Sequence, residues 1–185
     1  MSRTPSAMLP LGTKAPIFTL LDTTTDKYLS LDELKGVKGT LIMFICNHCP
    51  FVKHVNRALS DMGRKFQPLG IQFIAISSND VENYPQDSPI LMKQTALKEK
   101  YSFPYLYDES QEVAQAYEAT CTPDFFLFDN DLKLVYRGQL DDSRPGNGIP
   151  VTGADLDEAM AALIEKRDIS NNQKPSIGCN IKWKQ

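Results

Sequence analysis

The sequence predicts an α/β fold in which a central mixed β-sheet is flanked by helices. A continuous apolar run over residues 40–45 is typical of a strand that is covered on both faces. Apolar residues at helical spacing over 52–66 and a second apolar run over 71–77 complete a β-α-β unit, whose strands are parallel. Two further runs, 124–129 and 133–138, form an antiparallel hairpin. Parallel and antiparallel pairs together indicate a mixed sheet.

The other elements follow from turn and capping signals. In chain order they are an N-terminal hairpin of strands 17–21 and 28–30, a short helix over 31–34, a polar loop over 79–88, a helix over about 89–100, a helix over 111–117 capped by Ser110, and a final helix that begins at a capping box over 152–155.

The C-terminal segment is polar beyond Arg167 but then carries Ile177, Cys179, Ile181 and Trp183, the only tryptophan. A disordered tail has little reason to hold such residues. We therefore expect the tail to dock on the domain, to bury its apolar side chains and to bring Cys179 with them.

Length and charge limit the classes of function. The 185 residues fit a single domain over 1–185, with a core over about 11–166 and an extension over 167–185. The net charge of −3 gives no basic surface for nucleic acid, and no apolar stretch is long enough to span a membrane. Residues 1–12 do not resemble a signal peptide, so we expect a cytoplasmic protein whose thiols are kept reduced. Its partners are then proteins or small molecules.

The segment 46–50, Cys-Asn-His-Cys-Pro, carries the chemistry. It places two thiols three positions apart where a buried strand turns into a helix. Proline is favoured at the first helical position, which makes Cys49 the predicted N-cap. A thiolate there lies at the positive end of the helix dipole, which lowers the pKa of a cysteine. We therefore predict that Cys49 is more acidic than Cys46.

Cys46 and Cys49 have two other interpretations. A structural zinc ion needs four ligands, usually from a second paired cluster, and none is present in the sequence. Two unreactive core cysteines are the other alternative, although the intervening Asn-His and the following proline favour a loop and a helix start. We assign no metal.

The strand, the C-x-x-C and a later Thr-Pro that opens a hairpin resemble the thioredoxin fold over about residues 11–166. The resemblance implies that Pro123 is cis and faces the active cysteines. It also implies that Thr122 offers backbone hydrogen bonds to a bound substrate chain.

A closer resemblance covers nearly the whole chain. The motifs Cys-Asn-His-Cys-Pro-Phe, Cys-Thr-Pro-Asp-Phe-Phe and Pro-Ser-Ile-Gly-Cys-Asn-Ile-Lys-Trp are similar to a bacterial peroxiredoxin-like branch of the thioredoxin superfamily. It places Cys49-Pro50 on the peroxidatic Cys-Pro of peroxiredoxins. Cys46 stands where peroxiredoxins have a threonine, and Ile42 where they have a proline. Both replacements argue against fast peroxidase chemistry.

Three further side chains are candidates for supporting roles. His48 lies between the thiols like the intervening histidine of protein disulfide isomerase, where a protonated imidazole stabilises the thiolate; a solvated loop side chain is the alternative. Cys121 and Cys179 are candidate resolving thiols, or inert small apolar residues.

The expected function is therefore that of a thiol–disulfide oxidoreductase without a bound cofactor. Cys46 and Cys49 would cycle between dithiol and disulfide on protein disulfides or small thiols, and a cellular thiol reductant would restore them. One alternative is a thiol-dependent antioxidant peroxidase, with Cys49 peroxidatic and Cys46 resolving. The other is a non-enzymatic redox-sensing or binding module.

Overall fold

Two β-sheets and five α-helices form the part of the chain that the structure, a computed structural model, describes, residues 3–185. The first two residues of the domain predicted over 1–185 lie outside the described residues. The strands are β1 (Arg3–Pro5), β2 (Thr19–Asp22), β3 (Lys27–Ser30), β4 (Gly39–Phe44), β5 (Ile71–Ser77), β6 (Tyr105–Tyr107), β7 (Cys121–Thr122), β8 (Asp124–Asp129), β9 (Leu134–Gly138) and β10 (Ile177–Asn180). The helices are α1 (Leu31–Leu34), α2 (Pro50–Phe66), α3 (Pro89–Lys98), α4 (Glu112–Ala116) and α5 (Ala154–Glu165).

The larger sheet is mixed, as the sequence predicts. Its strand order is β3-β2-β6-β5-β4-β8-β9. The central strands β4 and β5 run parallel in register from Gly39 opposite Ile71 to Phe44 opposite Ile76, and β4 pairs antiparallel with β8 on its other side. The predicted β-α-β unit and both predicted hairpins are thus confirmed.

Alternate residues of β4 supply the cores on the two faces of this sheet. Leu41 and Met43, together with Ile45 just after the strand, join the apolar sides of α2, α3 and α5, whereas Ile42 and Phe44 join α1 and α4. Successive side chains of a strand point to opposite faces, so a continuous apolar run is what a sheet between two helical layers requires. The apolar stripe of α2 is buried in the first core through Val52, Val55, Leu59, Met62 and Phe66.

Two predicted helix caps are wrong. Helix α4 has Gln111, not Ser110, as its N-cap, and Gln111 adopts a left-handed conformation with φ 66°. The capping box over 152–155 is absent, because α5 has Gly153 as its N-cap with φ 70°. The Asp141 carboxylate takes over that role, accepting hydrogen bonds from the backbone N–H groups of Thr152 and Gly153 at 2.7 and 2.6 Å.

The C-terminal segment docks, but as a strand that its sequence does not predict. Strand β10 lies between β1 and β7 in a small antiparallel sheet of order β1-β10-β7. Ile181 is buried and Ile177 is half-buried. The expectation that Trp183 is buried is wrong, since 41% of it is exposed. Strand pairing and the burial of Ile181 therefore hold the C-terminal segment on the domain, and Trp183 contributes less to this docking.

Among the helices within residues 3–185, none has the length and apolar character that a membrane span requires.

Candidate active site

Cys49 caps the helix that follows the central strand. Strand β4 ends at Phe44, α2 begins at Pro50, and Cys49 is the N-cap with extended backbone angles, φ −64° and ψ 123°. Proline lacks the N–H that would be unsatisfied at the first helical position, so it sets this boundary. The predicted N-cap position of Cys49 is confirmed, but its side chain makes no capping hydrogen bond. Both thiols lie at the carboxyl edge of the sheet.

Two thiols and a threonine surround the Cys49 sulfur. Hydrogen bonding from Cys46 is the main cause that lowers the pKa of Cys49, to about 5, and Cys179 and Thr122 lower it further against the opposing effect of burial. The backbone N–H of Val52 adds a smaller effect at the helix start. Neighbouring thiols thus contribute more to this acidity than the helix terminus on which the sequence prediction was based. At neutral pH Cys49 is a thiolate.

Cys46 is the protonated partner of this pair. Its hydrogen bond to Cys49, its burial and the negative charge of Asp87 all raise its pKa well above the ordinary value. The thiol that carries the proton therefore lies beside the thiolate that would attack. The order of acidity agrees with the prediction that Cys49 is the more acidic of the two.

Asp87 holds the loop between the two thiols. Its carboxylate is buried and accepts hydrogen bonds from the backbone N–H groups of Asn47 and His48 at 2.8 and 3.2 Å, and from Asn79 Nδ2 at 2.8 Å. Burial alone would raise the pKa of Asp87, but its hydrogen bonds, with that from His48 the largest, lower it overall. Sequence reasoning missed this residue, which lies in the polar loop predicted over 79–88.

His48 faces Asp87 and Cys46. Its Nδ1 lies 2.6 Å from Asp87 Oδ2 and 3.9 Å from Cys46 Sγ, and its ring stacks on Tyr84. These contacts fix the His48 side chain in place, so the alternative of a solvated loop side chain is wrong. It lies beside the protonated thiol.

The same trio, Cys46, His48 and Asp87, has the residue types of a metal site, with ligand atoms within 4.8 Å of one another. The nitrogen and oxygen 2.6 Å apart are at hydrogen-bond distance. Two ligands of a tetrahedral zinc ion, each about 2.0–2.1 Å from the metal, would be roughly 3.3 Å apart. The geometry favours a hydrogen-bonded histidine–carboxylate pair.

The Thr122–Pro123 peptide bond is cis and adjoins the thiols, as the thioredoxin resemblance implies. The Thr122 carbonyl oxygen lies 3.2 Å from Cys49 Sγ, and the Thr122 hydroxyl lies 3.5 Å from Cys46 Sγ. One residue therefore contacts both sulfurs, and the hairpin β8–β9 that follows it anchors this wall of the site.

The two remaining cysteines differ in position. Cys179 Sγ lies 2.8 Å from Cys49 Sγ, whereas Cys121 Sγ donates to the Pro123 carbonyl at 3.7 Å. Burial and the charge of Asp124 raise the pKa of Cys121. Only Cys179 of these two candidates is brought into contact with the nucleophile in the described residues, none of which forms a disulfide.

The comparison with known protein families covers the region that holds most of this site. The model of the AhpC/TSA family matches residues 11–137, which include both thiols of the C-x-x-C and the cis-proline. The chain belongs to the AhpC/TSA family. It is a peroxiredoxin-like protein of the thioredoxin superfamily.

Relatives of this AhpC/TSA protein include both redox classes. It is 27% identical over 124 residues to the thiol-disulfide oxidoreductase ResA of Bacillus subtilis, covering 67% of this chain and 64% of that protein. It is 29% identical over 111 residues to a Coxiella burnetii protein named "Putative peroxiredoxin bcp", covering 59% and 66%. The chain thus spans slightly less than two thirds of either relative.

Solved structures match over more of the chain. A crystal structure of an uncharacterized conserved protein from Geobacillus kaustophilus is 56% identical, with a TM-score of 0.98 and coverage of 100% of this chain and 97% of that one. The thioredoxin domain of a thiol-disulfide oxidoreductase from Bacteroides vulgatus is 21% identical, with a TM-score of 0.60 over 72% and 91%. The latter likeness concerns the fold alone, and the fold is thioredoxin-like.

Proposed function

We propose that this chain is a thiol–disulfide oxidoreductase that cycles Cys46 and Cys49 between dithiol and disulfide. The observation that carries the proposal is the position of Cys49 at the start of α2 beside Cys46, whose hydrogen bonding lowers the pKa of Cys49 to about 5. A thiolate is the attacking species in disulfide exchange, and a thiol beside it is placed to complete the exchange.

The exchange has two steps. The Cys49 thiolate attacks one sulfur of a disulfide, forms a mixed disulfide and releases the first substrate thiolate, which takes up a proton from solvent. Cys46 then loses its proton and attacks the Cys49 sulfur, which gives the Cys46–Cys49 disulfide and the second substrate thiol. The substrate gains two electrons, and two thiols of a cellular reductant return the enzyme to its dithiol form.

Residues around the pair would support these steps. Thr122 and cis-Pro123 form the wall beside both sulfurs, and the Asp87 carboxylate fixes the loop that carries Asn47 and His48. We propose that a reducing compartment, the cytoplasm, supplies the thiol reductant. The substrates would be protein disulfides or small disulfides.

A thiol-dependent peroxidase is the second candidate, and family membership favours it. The Cys49-Pro50 pair has the position and acidity of a peroxidatic cysteine, and Cys46 would resolve its sulfenic acid. Cys46 and Ile42 occupy the positions of the peroxiredoxin threonine and proline, and this replacement favours disulfide exchange.

Paired assays separate the candidates. The wild-type protein should accelerate the reduction of insulin and of glutathione disulfide by dithiothreitol. In Cys49→Ser the catalysed rate should fall by at least about 100-fold, because no other thiolate replaces Cys49. Cys121→Ala is the matched control and should retain the wild-type rate. Peroxide consumption without disulfide reduction would establish the peroxidase instead. If the protein shows neither activity, a redox-sensing module is the interpretation that remains.

A further inference from the structure

A third sulfur, Cys179, lies against the nucleophile. Its Sγ is 2.8 Å from Cys49 Sγ although the two residues are 130 positions apart in the chain. Both side chains are buried in the same apolar core. A disulfide is about 2.05 Å long, so the sulfurs need to approach by only about 0.8 Å to bond.

The strand register explains why Cys179 rather than Cys121 is in this position. Cys179 lies opposite Thr122 in the β7–β10 ladder, and Asn180 lies opposite Cys121. Cross-strand partners share a face, and neighbours along a strand point to opposite faces. Because the Thr122 side chain contacts Cys46, the face that Cys179 shares with Thr122 is that of the active thiols.

Several backbone contacts hold Cys179 there. Strand β10 pairs with β1 on its other side, where Arg3 lies opposite Cys179. The Lys182 carbonyl accepts a hydrogen bond from Asp80 N at 2.8 Å, and Lys182 N donates to Asn79 Oδ1 at 2.9 Å. The third sulfur is thus positioned by a paired strand, and its contact with Cys49 is a property of the fold.

We propose that Cys179 is a second disulfide partner of Cys49, so that an oxidised Cys49 is resolved by an intramolecular Cys49–Cys179 bond. The inference rests on the proposed function for the role of Cys49 as attacking thiolate. It adds a third redox-active thiol to the pair in the C-x-x-C.

The step balances without a further reactant. Cys49 attacks a disulfide R–S–S–R′, and the released R′S⁻ takes a proton from solvent. The Cys179 thiol then loses its proton, and its sulfur attacks the Cys49 sulfur of the mixed disulfide. The bond between Cys49 and the R–S group breaks, and the released R–S⁻ takes up that proton. Cys49 and Cys179 lose two electrons in total, and the substrate disulfide becomes two thiols. Attack by Cys46 on Cys49 would then move the bond within the protein and restore the Cys179 thiol.

Electrostatics favour Cys179 once Cys49 has reacted. In the reduced protein, burial, the hydrogen bond to Cys49 and the Cys49 charge raise the pKa of Cys179 to about 12, whereas Lys182 lowers it. The hydrogen bond and the charge disappear when Cys49 enters a mixed disulfide, and Lys182 remains. Cys46 instead keeps the unfavourable charge of Asp87.

The Cys46→Ser variant of the full chain provides the test. With one equivalent of glutathione disulfide, it should release two glutathione molecules per protein, and peptide mass spectrometry after alkylation should map a Cys49–Cys179 bond. Cys46→Ser/Cys179→Ala should stop at a Cys49–glutathione adduct and release one. Cys46→Ser/Cys121→Ala is the matched control and should release two, and thermal melting should verify that each variant is folded.

A stable Cys49–glutathione adduct with one glutathione released from Cys46→Ser would overturn the inference. The same holds if the wild-type protein never shows the Cys49–Cys179 bond at any time sampled during oxidation. A parallel oxidation with one equivalent of hydrogen peroxide separates the two proposals, since Cys179 and a Cys49 sulfenic acid also condense to this disulfide, with loss of water. If that bond forms while disulfide-reductase turnover is absent, the inference stands and the proposed function fails.

Discussion

At the scale of single residues, the acidity of Cys49 depends on the thiols beside it. Cys46 is the largest contributor, Cys179 follows, and the first turn of α2 adds the N–H of Val52. A helix terminus stabilises a charge by about 0.3–1 kcal/mol at exposed sites and by up to about 2 kcal/mol at partly buried ones. Each hydrogen bond to a charged group contributes about 1.5–3 kcal/mol, so two thiol donors together contribute more than the helix terminus. Removing a neighbouring thiol should therefore change the pKa of Cys49 more than altering the helix start.

Replacing Cys46 with alanine should raise the pKa of Cys49. The variant loses the main hydrogen-bond donor to the thiolate, so Cys49 should be protonated at a higher pH than the wild-type value of about 5. The pH at which iodoacetamide alkylation of Cys49 reaches half its maximal rate should then rise by at least about one unit, which is about 1.4 kcal/mol. Below its pKa each form loses reactivity, so the variant should become unreactive at a pH where the wild type still reacts.

Cys121→Ala is the control for this titration, because Cys121 donates elsewhere. A midpoint that does not move in Cys46→Ala would assign the acidity to the helix start. A thiolate that still titrates below neutral pH in Cys49→Ser would reverse the assignment of the nucleophile to Cys46.

The sequence predicts some of these residues and not others, for a physical reason. Cys49 and Pro50 carry a local signal, since proline marks the first turn and the cap follows from it. Asp87 carries none, because an aspartate in a polar loop has the same local pattern whether it is solvated or buried against Asn47 and His48. The contact of Cys179 with Cys49 depends on strand register over 130 positions, which no local pattern encodes.

At the scale of elements, the long periodic segments, both hairpins and the short helix α1 were predictable, whereas several short strands were not. Strands β4, β5 and β8 and helix α2 have enough apolar residues for a clear period. Strand β7 has two residues, β6 has three and β10 has four, so pairing partners rather than their own sequence define them. The predicted N-caps of α4 and α5 were wrong, because the observed N-caps, Gln111 and Gly153, have a left-handed backbone conformation. The local sequence pattern does not encode that conformation.

Gly178 lets β10 approach the Thr122–Pro123 segment closely. A Cβ atom at this position would lie 1.9 Å from the Thr122 carbonyl oxygen, so Gly178→Ala must push the two backbones apart. Since Cys179 is the next residue, we expect the variant to form the Cys49–Cys179 disulfide at least about tenfold more slowly, while Cys46–Cys49 formation continues. Quenched alkylation followed by peptide mass spectrometry measures both bonds.

Gly146→Ala is the matched control for Gly178→Ala. A Cβ atom at Gly146 meets nothing within 4 Å, although its φ of 80° adds a general backbone strain. Its thiol kinetics should equal those of the wild type. Equal rates for the two disulfides in Gly178→Ala would show that the strand tolerates the added methyl group without moving Cys179.

At the scale of the whole molecule, the C-terminal strand closes the site. The side chains of Cys46, Cys49 and Cys179 are almost fully buried, and β10 lies beside Thr122, the residue that contacts both sulfurs of the C-x-x-C. By resemblance to thioredoxin, a substrate chain would also pair with Thr122. A polypeptide substrate that paired with Thr122 would require β10 to move, whereas a small disulfide would need a narrower opening.

Deletion of residues 175–185 should destabilise the protein and expose its nucleophile. It removes β10, leaves β1 and β7 without their common partner, and removes the buried Ile181 and Cys179. Burial of each large apolar side chain contributes about 1.5–3 kcal/mol, and 1 kcal/mol shifts the melting temperature by about 2–4 °C at this size. We expect the melting temperature to fall by about 5–15 °C. We also expect the alkylation of Cys49 at neutral pH to accelerate at least about tenfold.

Deletion of 183–185 alone is the control, because it removes the half-exposed Trp183 and keeps β10. It should change the melting temperature and the alkylation rate little. A protein that lacks 175–185 yet keeps the wild-type melting temperature and thiol kinetics would show that the segment neither stabilises the domain nor covers its active thiols.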